Sequence, residues 1–239
     1  MRTILIGDVH GHLDALKTLL WSVGLNRETD QLVLLGNLMD YGPDSCGVYL
    51  FVRELQEDMK RRLICIRGNH EQMFMDSELL TRGQMANRFL WKDSGGKETL
   101  RSFKEYRHST GKAGAWLRDN TRAWFEDLDF IAVHGDIRDE IVWNNSQDTF
   151  IWGSDGVTYN DYSGKLTVVG HTQVDTPTYL DGSRGESRFH PKYGTWFELP
   201  KRGMIAIHTG CGFGGNLTAM IIENGWMRFE YVKSRADNI

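Results

Sequence analysis

The chain has 239 residues, of which 40% are hydrophobic and 25% charged, a balance that supports a packed core and excludes a disordered protein. Its 28 basic and 32 acidic residues give a net charge of −4, so no overall positive charge attracts it to nucleic acid or to an anionic membrane. The longest uninterrupted apolar run covers residues 48–52, far short of the ~20 residues that span a bilayer. We therefore expect neither nucleic acid nor a membrane as a partner.

The cysteine content indicates a reducing compartment. Cys46, Cys65 and Cys211 are too few, and odd in number, for a disulfide framework, and we expect all three to be buried apolar thiols. The first two residues lead directly into the apolar run at the amino terminus, which leaves no room for a signal peptide. We therefore expect a cytoplasmic protein.

Short apolar runs, most of them followed by glycine beside Asp, Asn or His, recur along the chain. They cover residues 4–6, 32–35, 63–66, 130–133 and 166–169. Because short runs bounded by turn signals are typical of buried strands, each is predicted to be a strand. Between the first three, apolar residues at helical spacing predict helices over 13–23 and 48–55. This alternation of strand and helix indicates an α/β fold whose sheet begins with parallel strands.

The rest of the chain has a different pattern. Residues 71–126 are rich in charge and tryptophan with helical periodicity, and they are predicted to form a helical insert within a single domain spanning 1–239. Residues 203–231 alternate like strands and are predicted to close a second sheet. The predicted fold class is therefore α/β, a two-sheet β-sandwich flanked by helices, with a helical insert.

Polar side chains follow the predicted strands, where α/β folds collect their ligands. They are Asp8, His10, Asn37, Asp40, Asn69, His70, His134 and His171. A single Gly-Asp pair is usually an ordinary turn and a single histidine is usually a core residue, but five such strand ends in one chain favour a site. Carboxylate, imidazole and amide groups without a thiolate suit Mn²⁺, Fe or Zn²⁺ rather than copper(I) or an iron–sulfur cluster.

At these strand ends the sequence resembles the calcineurin-like metallophosphoesterases. The motifs are Gly7-Asp8-Val9-His10-Gly11, Gly36-Asn37-Leu38-Met39-Asp40-Tyr41-Gly42-Pro43, Arg67-Gly68-Asn69-His70-Glu71, Val133-His134-Gly135 and Gly170-His171-Thr172. The chain is most similar to the phosphoprotein-phosphatase branch in its bacterial and bacteriophage form, and residues 207–219 resemble a motif shared with diadenosine tetraphosphatases. The resemblance extends from about Thr3 to Ile222 and implies the metallophosphoesterase fold.

The resemblance also implies two divalent ions and a set of residues that hold them. These residues are Asp8 and His10 for the first ion, Asn69, His134 and His171 for the second, and position 37 as the bridge between them. Manganese is the expected metal, with iron, zinc, nickel or cobalt as alternatives. Such a pair would clamp a phosphoryl group and supply a bridging hydroxide for in-line attack.

Two further residues match catalytic positions of the family. His70 corresponds to the general acid that protonates the departing alkoxide. Asp40 corresponds to the carboxylate that holds the protonated imidazole in place. The implied reaction is hydrolysis without a covalent enzyme intermediate.

Several positions depart from the family pattern. Asn37 replaces the bridging aspartate, so we expect weaker metal binding and slower turnover, as in an impaired or substrate-trapping form. Tyr41 stands where the family's protein phosphatases have a phosphate-binding arginine, and Gly153-Ser154 stand where a second arginine is usual. Tyr41 and Arg67 are predicted substrate contacts, and pairing with a carboxylate behind the site is the alternative role for Arg67. His208 stands where the family usually has aspartate, and without an apparent strand-end setting it is not assigned to the site.

Three functions remain open on this sequence. The leading hypothesis is hydrolysis of phosphomonoesters like that of the serine/threonine protein phosphatases, on a phosphorylated protein or a small phosphoester. A second is hydrolysis of a dinucleoside polyphosphate, a nucleotide substrate, which the motif at residues 214–219 suggests. The third is a metal-poor binding protein with low activity, suggested by Asn37, Tyr41 and the missing arginine. The sequence does not predict the oligomeric state.

Overall fold

The computed structural model of the chain describes residues 1–79, 85–153, 162–181 and 188–234. The α-helices are α1 (Leu13–Ser22), α2 (Ser45–Met59), α3 (Asn69–Leu79), α4 (Met85–Trp91), α5 (Lys97–Glu105), α6 (Thr110–Asn120) and α7 (Gln147–Trp152). The strands are β1 (Thr3–Ile6), β2 (Gln31–Leu34), β3 (Leu63–Ile66), β4 (Thr121–Arg122), β5 (Trp124–Glu126), β6 (Phe130–Val133), β7 (Leu166–Val169), β8 (Thr178–Leu180), β9 (Arg188–Phe189), β10 (Phe197–Glu198), β11 (Met204–Ala206), β12 (Asn216–Glu223) and β13 (Trp226–Lys233). None of the helices in these ranges has the length and apolar character needed to cross a membrane.

The first sheet contains seven strands in the order β10-β13-β12-β1-β2-β3-β4. The pairs β1–β2, β2–β3 and β3–β4 are parallel, whereas β12 runs antiparallel to β1 and pairs Ile222 with Thr3. The prediction that residues 203–231 close the second sheet is therefore wrong for β12 and β13. Alternation identifies which face of a strand is buried, but it does not identify the sheet edge with which a hairpin pairs.

The second sheet contains six strands in the order β5-β6-β7-β11-β8-β9. Its central pairs, β6–β7 and β7–β11, are parallel. The two sheets pack face to face through an apolar core to which β1, β2 and β3 contribute alternate residues. That core includes Leu5, Val33, Ile64, Phe130, Leu166, Val168, Ile205 and Met220. The prediction of an α/β two-sheet sandwich flanked by helices is confirmed.

Helices α1 to α6 cover the other face of the first sheet, whereas α7 packs through Phe150 against the outer face of the second sheet. Because successive strand residues point to opposite faces, Ile4 and Ile6 pack on the helical side while Leu5 faces the second sheet. Helices α1 and α2 bury their apolar faces there through residues such as Leu16 and Val52. The range 71–126, predicted to be helical, holds most of α3 and all of α4 to α6 in its described part, and it ends in the short strands β4 and β5. Strands β1, β2, β3, β6 and β7 form as predicted, and each is fully buried.

Candidate metal centre

Loops after five strands bring the predicted polar residues together. Asp8 and His10 follow β1, Asn37 and Asp40 follow β2, Asn69 and His70 begin α3 after β3, His134 follows β6, and His171 follows β7. Four of these residues, His10, Asn37, Asp40 and His171, have positive φ angles between 47° and 71°. Positive φ is uncommon outside glycine and concentrates at functional sites, where the surrounding structure holds the strain. The chain therefore turns sharply at each strand end to direct these side chains inward.

Glycines at two of these turns allow the loops to approach closely. Gly36 has φ +95°, and a Cβ there would lie 2.6 Å from the backbone nitrogen of Gly68. A Cβ on Gly170 would lie 2.4 Å from Oδ1 of Asp8. Since real side chains do not tolerate such separations, both positions require glycine.

The first group of possible metal ligands is the Asp8 triad, which consists of Asp8, His10 and His208. The three residues are buried, and each offers one ligand atom within 4.8 Å of the others. His10 Nε2 lies 3.9 Å and His208 Nδ1 lies 3.8 Å from Oδ2 of Asp8. His208 is absent from the predicted site although it follows the apolar strand β11, the same signal that identified the other strand-end residues.

The second group is the Asn69 triad, which consists of Asn69, His134 and His171. Asn69 Oδ1 lies 3.0 Å from Nε2 of His134 and 3.3 Å from Nδ1 of His171. His171 also connects the two triads, because its backbone N–H donates to Oδ1 of Asp8 over 3.3 Å. Three side chains from three strand ends therefore converge on one point beside the Asp8 triad.

Asn37 lies between the two groups and uses both ends of its amide. Its Nδ2 donates to Oδ2 of Asp8 over 3.0 Å, and its Oδ1 accepts the backbone N–H of His70 over 3.1 Å. These two partners determine the orientation of the amide, because a carboxylate accepts only and a backbone N–H donates only. The side chain at the predicted bridging position therefore acts as a hydrogen-bonding link.

Backbone carbonyls set the tautomers of two histidines. Nδ1 of His10 bonds to the carbonyl of Met39 over 3.0 Å, and Nδ1 of His134 bonds to the carbonyl of Leu35 over 2.7 Å. Burial, followed by the neighbouring histidines, holds the pKa of both well below the usual value. Both rings are therefore neutral, with the proton on Nδ1 and the lone pair of Nε2 directed into the site, as in histidines that bind metals.

This arrangement fits divalent cations. His134 Nε2 and Asn69 Oδ1 are both acceptors and face each other at 3.0 Å, an arrangement that a cation between them would relieve. Burial raises the pKa of Asp8 to about 7, because the neighbouring His171 and His70 offset only part of the cost of burying the carboxylate. Neutral imidazoles, an amide oxygen and one carboxylate form a set that Mn²⁺, Fe²⁺ or Zn²⁺ can use.

A hydrogen-bonded pair of Asp40 and His70 adjoins the triads. His70 Nδ1 bonds to Oδ2 of Asp40 over 2.8 Å, and the His70 ring lies edge-on to the His10 ring, with centroids 5.0 Å apart. Asp40 also accepts hydrogen bonds from Trp91 Nε1 (2.9 Å) and Thr99 Oγ1 (2.6 Å), both on the helices after β3. Trp91 and Thr99 are absent from the predicted site, because nothing in the spacing of α4 and α5 indicates contact with a loop after β2.

Glu71 is a further residue that the predicted site omits. Its carboxylate is fully buried and accepts three backbone N–H groups, from Asn37 (2.8 Å), Leu38 (2.7 Å) and Gly68 (2.9 Å). It therefore ties the loop after β2 to the loop after β3. Its place in the motif after His70 is the signal that could have identified it.

The family of the chain follows from comparison with known proteins. A family model described as calcineurin-like phosphoesterase matches residues 1–203. The chain belongs to this family. Membership implies that divalent metal ions bind and that the chain is a phosphoesterase.

Individual relatives differ in the substrates that their names state. The chain is 26% identical to a symmetrical bis(5'-nucleosyl)-tetraphosphatase of Pseudomonas fluorescens (strain Pf0-1), over 94% of this chain and 89% of the relative. It is 34% identical to serine/threonine-protein phosphatase 1 of Salmonella typhimurium over 38% of this chain and 37% of that protein. A solved metallophosphoesterase from Sphaerobacter thermophilus aligns with a TM-score of 0.68 at 20% identity, covering 98% of this chain and 89% of the other, and supports the fold.

The two predicted substrate contacts of this phosphoesterase lie in different settings. Tyr41 packs its ring 5.3 Å from His10, 5.3 Å from His70 and 4.9 Å from Phe213, so it borders the site. Arg67 instead donates to Oγ1 of Thr121 (3.0 Å), and its remaining hydrogen bonds run to Gln72 and to backbone carbonyls near α6. Ser154, at the position of the second expected arginine, lies outside the described residues.

Proposed function

We propose that this phosphoesterase hydrolyses phosphomonoesters with two divalent ions, Mn²⁺ foremost. The residues that would hold them are Asp8 and His10 for the first ion, Asn69, His134 and His171 for the second, with Asn37 between them. Ions bound there would neutralise the charge of a phosphoryl group and activate water. Asn37 lowers the negative charge of the site and would slow turnover.

The observation that carries this proposal is the Asp40–His70 pair. Because Nδ1 of His70 bonds to Asp40, Nε2 is the atom that would deliver a proton to a leaving group. Asp40 is buried and receives hydrogen bonds from Trp91 and Thr99, so it holds the imidazole in one orientation. Such a pair can act as a general acid.

A general acid favours one class of substrate. An aliphatic alcohol is about as weak an acid as water, whose pKa is ~15.7, so its alkoxide leaves only when protonated. A nucleotide leaving group ends in a phosphate with a second pKa of ~6 and can leave as an anion. The pair therefore supports an alkyl phosphomonoester, such as phosphoserine or a small phosphoester.

The test compares two leaving groups in the Mn²⁺-loaded native chain and in the His70→Asn variant. Phosphate release from a phosphoserine peptide should fall by ~10²–10⁴-fold in the variant, the usual contribution of a general acid. Release from p-nitrophenyl phosphate should fall much less, because that leaving group needs no proton. His190→Asn, at an exposed histidine, should change neither rate. The proposal fails if neither substrate is hydrolysed by the native chain or by an Asn37→Asp variant.

A second candidate function is hydrolysis of a dinucleoside polyphosphate. It is favoured by the similarity over nearly the whole chain to a relative named as a symmetrical bis(5'-nucleosyl)-tetraphosphatase. The rings of Tyr41 and Phe213, 4.9 Å apart beside the site, offer a surface on which a base could stack. Release of ADP from diadenosine tetraphosphate faster than phosphate from p-nitrophenyl phosphate would select this function.

The remaining alternative is a binding protein with little turnover. The absence of a guanidinium at position 41 and the neutral amide of Asn37 support it. Under this alternative the Asn37→Asp variant would gain little activity.

The proposal includes a cytoplasmic location. It is favoured by the thiols of Cys46, Cys65 and Cys211, which are free and buried.

A further inference from the structure

His208 is a buried histidine beside Asp8 that has no role in the proposed function. It follows β11 and is 2% exposed, in a position where its Nδ1 lies 3.8 Å from Oδ2 of Asp8. Among the residues that the structure describes, this Nδ1 is one of the few buried side-chain nitrogen or oxygen atoms without a hydrogen-bond partner. Leaving a buried polar atom unpaired costs free energy, so such atoms usually have a role.

The neighbouring histidines show what His208 lacks. Nδ1 of His10 is satisfied by the carbonyl of Met39, and Nδ1 of His134 by the carbonyl of Leu35. His208 instead directs Nδ1 toward the same carboxylate oxygen that His10 approaches with Nε2. The unpaired atom therefore faces the carboxylate of Asp8.

The separations in the triad match those of ligands on one ion. Two ligand atoms that each lie ~2.1 Å from a shared ion are at most ~4.2 Å apart. The separations of 3.9 Å for His10 and 3.8 Å for His208 from Asp8 fall within that limit. The triad as a whole spans no more than 4.8 Å, so a small side-chain rotation would close it around an ion.

We propose that His208, through Nδ1, is the third protein ligand of the ion held by Asp8 and His10. The resulting set of two imidazoles and one carboxylate is of the kind that holds catalytic zinc with one position left open. His208 would supply a ligand that Asn37 does not, because the Asn37 amide turns its Nδ2, which is a donor, toward Asp8 and its oxygen toward the backbone N–H of His70. The inference rests on the proposed metal-dependent function only for the presence of an ion at Asp8 and His10.

The test measures metal binding and requires no turnover. The chelator-treated full chain is titrated with Co²⁺, with affinity and visible absorption recorded for the native chain and for His208→Asn. We expect at least a tenfold loss of affinity and a changed absorption spectrum, because one imidazole leaves the coordination sphere. His108→Asn is the matched control, since His108 also has a buried ring nitrogen without a partner but packs against Tyr49 and Phe103. It should bind Co²⁺ like the native chain.

A second measurement uses the native chain alone, in case the variant does not fold. In ¹⁵N spectra of the histidine rings, addition of Zn²⁺ should shift Nδ1 of His208 to a metal-bound position. For His10 the shifted atom should be Nε2, while its Nδ1 keeps the proton that it donates to the carbonyl of Met39. If Nδ1 of His208 does not respond to Zn²⁺, or if His208→Asn binds Co²⁺ like the native chain, the inference is wrong. Phosphoester hydrolysis without that response would refute the inference and leave the proposed function intact.

Discussion

Replacing Asn37 by aspartate tests the charge balance of the site. The amide nitrogen of Asn37 lies 3.0 Å from Oδ2 of Asp8, so the Asn37→Asp variant would place a second carboxylate oxygen there. Two like charges 3.0 Å apart repel by about 5.5 kcal/mol at an effective dielectric constant of 20. Without a cation, that repulsion is relieved only by proton uptake or by movement of the loops. With a divalent ion between them, the same two carboxylates become favourable ligands.

The size of the effect follows from that repulsion. If metal binding relieves about half of it, roughly 2.7 kcal/mol, the variant binds its ions ~100-fold more tightly than the native chain. The metal-free variant should be less stable than the native chain by a similar amount. Because the tighter binding of Mn²⁺ offsets this loss, the variant should melt below the native chain in a chelator and at about the same temperature in saturating Mn²⁺.

Thermal unfolding with EDTA and with Mn²⁺, together with calorimetric titration of Mn²⁺, measures both quantities. Asn224→Asp is the matched control because it adds the same charge in the exposed turn between β12 and β13. That control should show the same Mn²⁺ response as the native chain. Equal stabilisation of the native chain and the Asn37→Asp variant by Mn²⁺ would refute the reasoning.

Three other predictions concern residues around the site. Thr99→Val removes the 2.6 Å hydrogen bond to Asp40 without changing side-chain shape, so stability should fall by ~2 kcal/mol and phosphoserine hydrolysis about tenfold, as urea unfolding and phosphate release would show. Glu71→Gln weakens a carboxylate that holds three backbone N–H groups, and a loss of ~2 kcal/mol should appear in thermal melts. Burial raises the pKa of Asp8 from 3.8 to about 7, so its contribution to the stability of metal-free protein is greatest below pH 4 and is lost as the pH rises to 7. Asp8→Asn should therefore gain up to about 4 kcal/mol over the native chain between pH 4 and pH 8, measured by urea unfolding in EDTA.

Much of the site could be predicted because it is encoded locally. Each short apolar run followed by Gly, Asp, Asn or His forms a buried strand, and the parallel strands of a sheet end at the same edge. Asp8, Asn37 and Asn69 thus meet although they are far apart in the chain. The glycines beside them mark close approaches of backbone, as Gly36 and Gly170 demonstrate.

The remaining features depend on tertiary contacts that no local pattern contains. The pattern of the helical segment indicates that Trp91 is a core residue, and its side chain is fully buried. Its indole N–H nevertheless donates a hydrogen bond to Asp40, which lies 51 positions away in the sequence. His208 was missed for another reason, because residues 203–231 are predicted as alternating strands that close a sheet, and the strand end before His208 does not stand out in that pattern. The hairpin of β12 and β13 joins the first sheet because the free edge of β1 pairs with it.

Both triads draw their members from both sheets of the sandwich. In the Asp8 triad, Asp8 and His10 follow β1 of the first sheet and His208 follows β11 of the second. In the Asn69 triad, Asn69 follows β3 of the first sheet, whereas His134 and His171 follow strands of the second. An ion bound to either triad would therefore join the two layers at the edge where the apolar core ends. Since binding to the folded state alone stabilises it, metal binding and the packing of the sheets should be coupled.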